Sequence, residues 1–142
     1  LPIYGNGKQV RDWLYVDDHV QALMLVALKG DVGETYNIGG ENEIQNIEVV
    51  RLICKILDKL EPSNNPKISS YNDLISYVDD RPGHDVRYAI DASKIKDNLG
   101  WSQHEDFESG LLKTVEWYLC NREWYETIKN RNYKLQRLGE SL

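Results

Sequence analysis

The segment Asp80-Arg81-Pro82-Gly83-His84-Asp85 sets a guanidinium and an imidazole close together on a stretch unsuited to helix. Proline restricts the residue before it to extended backbone, and glycine lets the chain turn tightly against a ligand. Arginine can grip a phosphate through a two-pronged fork, and a nearby imidazole can donate one more hydrogen bond. The chemistry on offer is recognition of a phosphate or diphosphate. The same residues also fit a rigid turn with a surface Arg–Asp pair, which contributes little energy.

Three other places could join such a site. Arg11 follows a Gly5-Asn6-Gly7 turn and precedes Asp12, so it suits either a pyrophosphate contact or a solvated ion pair. Asn46 stands before an amphipathic segment, where it can cap a helix and also mark an anion site at the helix N-terminus. Pro2-Ile3-Tyr4, followed by Gly5, forms an apolar, aromatic edge able to stack on a base or simply to pack. Tyr125 and Lys129 fit Tyr-x-x-x-Lys, an acid–base pair of short-chain dehydrogenases. Residues at i and i+4 share a helix face, so this copy arises easily by chance. No glycine-rich phosphate loop follows a strand, and neither a nucleophile elbow nor a His-Glu-x-x-His motif is present.

Positioning these residues calls for alternating elements. Residues 13–16, 34–38 and 74–78 read as strands. Helices are expected from an Asp17 or Asp18 cap to about Lys29, with Val20, Leu23, Met24 and Ala27 on the apolar face, and from Asn46 to Leu60. Further helices are expected from Ser93 to Gly100, over 107–119 with Trp117 and Tyr118 on the apolar side, and over 123–129; residues 62–72 read as a loop. Alternation makes the class α/β, yet three or four short strands are too few for a free-standing parallel sheet. The piece is expected to sit on a larger one.

The 142 residues suit one domain with its own core. A net charge of −6 argues against a nucleic-acid partner. The longest apolar run, residues 22–28, is far short of the ~20 needed to cross a bilayer, so no membrane association is expected. Cys54 and Cys120 lie in helical patterns and read as buried free thiols of a reducing cytoplasm; no metal spacing is present.

Taken in order, Arg11-Asp12-Trp13 with Val16-Asp17-Asp18-His19, Tyr36-Asn37-Ile38-Gly39-Gly40, Arg81-Pro82-Gly83-His84-Asp85 and Thr114-Val115-Glu116-Trp117-Tyr118-Leu119 resemble the dTDP-glucose 4,6-dehydratases. These are extended short-chain dehydrogenase/reductases. The similarity spans Leu1 to about Tyr125. It implies a lyase that uses tightly held NAD: C4 of the sugar is oxidised, water leaves across C5 and C6, and the hydride returns to C6, on the way to deoxysugars such as dTDP-rhamnose. It also implies a homodimeric enzyme. The NAD loop and catalytic groups would lie in an amino-terminal portion absent here, leaving residues 1–142 as the carboxyl-terminal, substrate-binding part, inactive alone. Within it, the stretch from Val16 to Ile38 would be the edge helix and strand of a Rossmann-type sheet, and the remainder a substrate-binding lobe. Carried onto this chain, Pro2, Ile3, Tyr4 and Gly5 would line the thymidine side of dTDP-glucose. Arg11, Asn46, Asp80, Arg81, Pro82, Gly83 and His84 would surround its phosphates. A UDP-sugar 4-epimerase or decarboxylase, and a non-catalytic nucleotide-binding or assembly module, remain as alternatives.

Overall fold

In the computed structural model, which describes residues 1–130, ten short elements follow one another. They are β1 (Pro2–Tyr4), β2 (Val10–Asp12), α1 (Val16–Lys29), β3 (Glu43–Gln45), α2 (Asn46–Leu60), a 3-10 turn (Tyr71–Leu74), β4 (Ser76–Val78), α3 (Ser93–Leu99), α4 (Phe107–Cys120) and α5 (Arg122–Asn130). The strands form two separate pairs. β1 runs parallel to β4, with Ile3 opposite Tyr77, and β2 runs antiparallel to β3, with Arg11 opposite Ile44. Val10 also forms a parallel bridge to Arg87, which ties the segment after β4 to β2.

Two expected strands are not strands here. Residues 13–15 are extended but pair sideways only through Trp13, whose N–H donates to the Asn42 carbonyl at 3.1 Å. Residues 34–38 make no ladder among the described residues. The reason is physical: a strand is defined by its neighbour, and β propensity without a partner leaves irregular chain. Strand pairing falls instead on Val10–Asp12, three residues earlier than expected, where Glu43–Gln45 supplies the complement.

Helix starts also move. α1 begins at Val16 with Tyr15 as its cap residue, so Asp17 and Asp18 lie in the first turn. α2 begins with Asn46 itself, and Gln45 is the cap; its N–H donates to the Glu48 carboxylate at 3.3 Å. In α3 the cap residue is Ala92, and Ser93 is the first helical residue, its N–H donating to Asp91. Asp106 caps α4 by accepting from Ser109 N–H at 2.7 Å.

The core gathers Ala22, Ala92, Ile95 and Trp101, flanked by Leu14, Leu25, Val26, Tyr36, Ile38 and Leu99. Ile95 has no exposed surface. The face of α1 expected to be inward is the outward one: Val20, Leu23 and Met24 are 50–58 % exposed, and Ala27 is exposed as well. Its small Ala22 is what meets the core. Trp117 and Tyr118 are likewise half-exposed. Cys54 is buried as expected, whereas Cys120 is exposed.

Candidate nucleotide site

Asp80 is the hub of the site. Its Oδ1 accepts the Arg81 backbone N–H at 2.9 Å and pairs with His84 Nδ1 at 2.6 Å. Its Oδ2 accepts from Gln9 Nε2 at 2.9 Å. The His84 hydrogen bond holds the Asp80 carboxyl below the usual carboxylate range, against a smaller opposing effect of desolvation. Gly5 makes room for this hub: its φ of +57° suits glycine, and a Cβ there would lie 2.6 Å from Asp80 Oδ2. Gly83, at φ +68°, sits in open space, so it serves the turn rather than a close packing contact.

Arg11 reaches the same segment from β2. Its guanidinium donates to the carbonyls of Val10 at 2.6 Å and Asp85 at 3.0 Å, and stacks over Tyr88 at 4.7 Å. Asp12, the expected ion-pair neighbour, is engaged elsewhere and accepts the N–H groups of Gly40 and Asn42 at 2.9 and 2.8 Å. Tyr88 bonds the Asp85 carboxylate, which pushes the phenol above its ordinary range, while Arg11 and Arg81 pull it the other way. The Arg11 guanidinium is the one seen stacked on the Tyr88 ring.

The backbone holds these pieces together. Gly5 N–H donates to Val78 O at 2.9 Å, Val10 N–H to Val86 O at 2.8 Å, and Tyr88 N–H to Val10 O at 3.0 Å. Asn46 and Ile47 N–H groups donate to the carbonyls of Gln9 and Gly7 at 3.0 and 2.9 Å. That corrects one expectation. The first two N–H donors of α2 are spent on the chain itself, so Asn46 could reach a ligand only through its side chain. Of the apolar edge, Pro2 is exposed, Tyr4 is half-buried and Ile3 is 7 % exposed. The alternation of a strand turns Ile3 inward and leaves Pro2 and Tyr4 on the other face.

The structure thus brings Gly5, Arg11, Asp80, Arg81 and His84 into one neighbourhood, with Asn46 anchored to Gln9 beside them. Gln9 and Tyr88 were not anticipated. Gln9 lies just before β2, two positions from Arg11. The amide is 7 % exposed, and its Oε1 has no hydrogen-bond partner among the described residues. Burying an unpaired acceptor costs on the order of 1–3 kcal/mol.

Two cavities lie apart from this cluster. One of about 650 Å³ is lined by Arg51, Lys55, Asp58, Asn72, Ile75 and Tyr77. Another, of about 620 Å³, has Trp13, Tyr15, Lys113, Trp117 and Trp124 among its walls. Neither contains an anticipated site residue. Tyr125 is half-buried against the Tyr118 ring at 6.3 Å, as a packing role for the Tyr-x-x-x-Lys pattern requires. His104 pairs with buried Asp18 at 3.3 Å, and Tyr133 lies outside the described residues. No helix is long and apolar enough to cross a membrane, and no group of three or more metal-binding side chains occurs, both among the described residues. Nor do these residues fit the NAD pyrophosphate, because β3 passes into α2 through Gln45 and Asn46 without a glycine turn.

A family model described as GDP-mannose 4,6 dehydratase matches residues 1–114. The chain belongs to that family. It is 58 % identical over 139 residues to a dTDP-glucose 4,6-dehydratase of Neisseria meningitidis serogroup B, covering 98 % of this chain and 39 % of the relative. Among solved structures, a dTDP-glucose 4,6-dehydratase of Bacillus anthracis in complex with NAD superposes with a TM-score of 0.76 at 47 % identity, over 90 % of this chain and 37 % of that one. A UDP-glucose 4-epimerase of Thermotoga maritima with UDP-glucose gives 0.67 at 31 % identity, over 84 % and 35 %. The chain spans about 39 % of the length of the curated relatives it matches. The fold is accordingly the α/β type of Rossmann-class dehydratases and epimerases.

Proposed function

We propose that residues 1–142 are the nucleotide-holding portion of a dTDP-glucose 4,6-dehydratase, a hydro-lyase whose NAD-binding portion lies outside this segment. The observation that carries the reading is that Arg11 reaches from β2 to the Asp85 carbonyl, on the same segment that bears Arg81 and His84, supported by the higher identity to dehydratases than to the epimerase. Arg11 and Arg81 meet the diphosphate charge, and His84 adds a ring donor. Pro2, Tyr4 and Gly5 border the base, Asn46 offers its side chain, and Asp80 with Pro82 and Gly83 shapes the phosphate loop. NAD supplies the hydride-transfer chemistry when bound; the described residues bind and orient the other end of the substrate.

The exposed face of α1, together with residues 34–38, is the surface that the NAD-binding portion covers in this reading. Residues 34–38 then become a strand by gaining a neighbour. Assembly as a homodimer in the cytoplasm belongs to the same proposal, and sedimentation of the full-length protein tests the first half of it.

The deciding experiment is calorimetric titration of the full-length enzyme carrying this segment with dTDP and with UDP, repeated for Arg81→Ala. Preference for dTDP, weakened by ~1–3 kcal/mol in Arg81→Ala, is the expected result. Equal or tighter binding of UDP turns the reading to a UDP-sugar epimerase or decarboxylase. An unchanged dissociation constant in Arg81→Ala removes the phosphate assignment.

A further inference from the structure

Gln9 is in the wrong place for a residue chosen only to pack. Its side chain is buried, one amide atom is bonded and the other has no partner among the described residues. A methionine of similar shape would avoid the unpaired oxygen, so packing alone does not account for an amide here. What the amide does achieve is orientation. Nε2 donates to Asp80 Oδ2, which lies against Gly5, and this fixes the rotation of the carboxylate. The opposite oxygen is then aimed at both the Arg81 N–H and the His84 Nδ1. The Gln9 carbonyl also receives the Asn46 N–H, so one residue ties the phosphate loop to β2 and the start of α2.

The geometry points to Gln9 as a positioning residue for the nucleotide diphosphate: through Asp80 it sets the Arg81 backbone and fixes the His84 ring with Nδ1 on the carboxylate and Nε2 as the atom offered to phosphate. This rests on the nucleotide-site reading above. Gln9 itself touches no reacting atom. A second-sphere partner that sets the ring orientation of a histidine also sets which nitrogen can act.

The test uses the full-length enzyme carrying this segment and compares wild type, Gln9→Met, Gln9→Glu and Arg81→Ala. Gln9→Glu keeps the shape but replaces the donor by a second carboxylate facing Asp80. The Gln9→Met dissociation constant for dTDP and KM for dTDP-glucose are expected to rise about three- to tenfold. Its kcat stays within about twofold, and its melting temperature is unchanged or higher. Gln9→Glu loses more affinity than Gln9→Met. Long-range 1H–15N spectra of the imidazole report the relay directly: one nitrogen pattern in wild type, and a shifted, averaged one in Gln9→Met. If Gln9→Met binds dTDP like wild type while Arg81→Ala does not, the positioning role is overturned and the nucleotide site stands. If Gln9→Met lowers stability, kcat and affinity together, the role is structural and the inference also fails. If Arg81→Ala and wild type bind alike, the nucleotide reading falls, and an unaltered imidazole spectrum in Gln9→Met would then sink the Gln9–Asp80–His84 relay as well. Should Gln9→Met fail to fold, the Gln9→Glu affinity and spectrum decide by the same criteria.

Discussion

Around Asp80 the chain holds itself by hydrogen bonds between distant segments, whereas α1 beyond its Asp18-anchored first turn is held by apolar contact on one side and left open on the other. Gln9 bonds Asp80 across 71 positions and Arg11 bonds Asp85 across 74. On α1, Ala22 is sealed into the core while Leu23 and Met24, the next residues, are more than half exposed. Hydrogen bonds are directional and set angles; apolar contacts set only proximity. The first region is therefore built to place particular atoms, whereas the second presents apolar surface that the NAD-binding portion covers in the proposed reading. Contiguous exposed apolar faces of this kind mark interaction sites more often than ordinary surface.

That contrast can be broken at several points. The largest effect is expected from Ile95→Ala, which empties a fully buried site in the α1–α3 core and costs ~2–5 kcal/mol of stability, read by urea unfolding. If nucleotide affinity survives under native conditions, the two regions are separable; loss of affinity in folded protein couples them. Asp12→Ala comes next. It strips the acceptor from the Gly40 and Asn42 N–H groups and is expected to cost ~1–3 kcal/mol in the same assay.

Asp18 adds a pH signature. Burial raises its carboxyl, but the backbone N–H groups of Glu105 and His104 and the His104 ring outweigh that, leaving it below the ordinary value. A lowered folded value stabilises at pH above the unfolded range, near ~3.9, and the benefit disappears as pH falls through the folded value. Asp18→Asn is expected to flatten that acid limb of the stability–pH curve; an identical limb would remove Asp18 from the account. The smallest effect on the chain alone is expected for Leu23→Lys with Met24→Lys, within about 0.5 kcal/mol per site because both are solvent-facing. The same pair introduced into the full-length protein should impair its folding yield, and equal yields would show that this face is not covered.

Legibility in the sequence followed the range over which a feature is decided. The helix from Asn46 and the helix from Phe107 were readable because their apolar period and first residues are local. The turn at residues 80–85 was readable as one unit because Arg81, Pro82, Gly83 and His84 are contiguous. Asp18 looked like a helix cap and is a buried acceptor for Glu105 N–H at 3.0 Å, a partner 87 positions away. The strands expected over 13–16 and 34–38 failed for the same reason, whereas that over 74–78 is met by β4: three-residue strands carry almost no signal of their own, and the partner chooses them. The outward turn of Leu23 and Met24 could not be read from a period that marks an apolar face without saying what covers it. Gln9 was missed because an amide beside Lys8 and Arg11 looks solvated until Asp80 arrives from the other end of the chain.

The parallel pairing of β1 with β4 has a kinetic side. Contacts that close loops of about 70 residues demand the chain entropy first and return the bonding energy afterwards, so they form late, after local helices such as α2 and α4. The Asp80 cluster is assembled from such contacts and is expected to be the last part of the molecule to form. A diphosphate present during refolding then acts on the final step: it is expected to raise the recovered native fraction by mass action while leaving the early helical phase at its original rate.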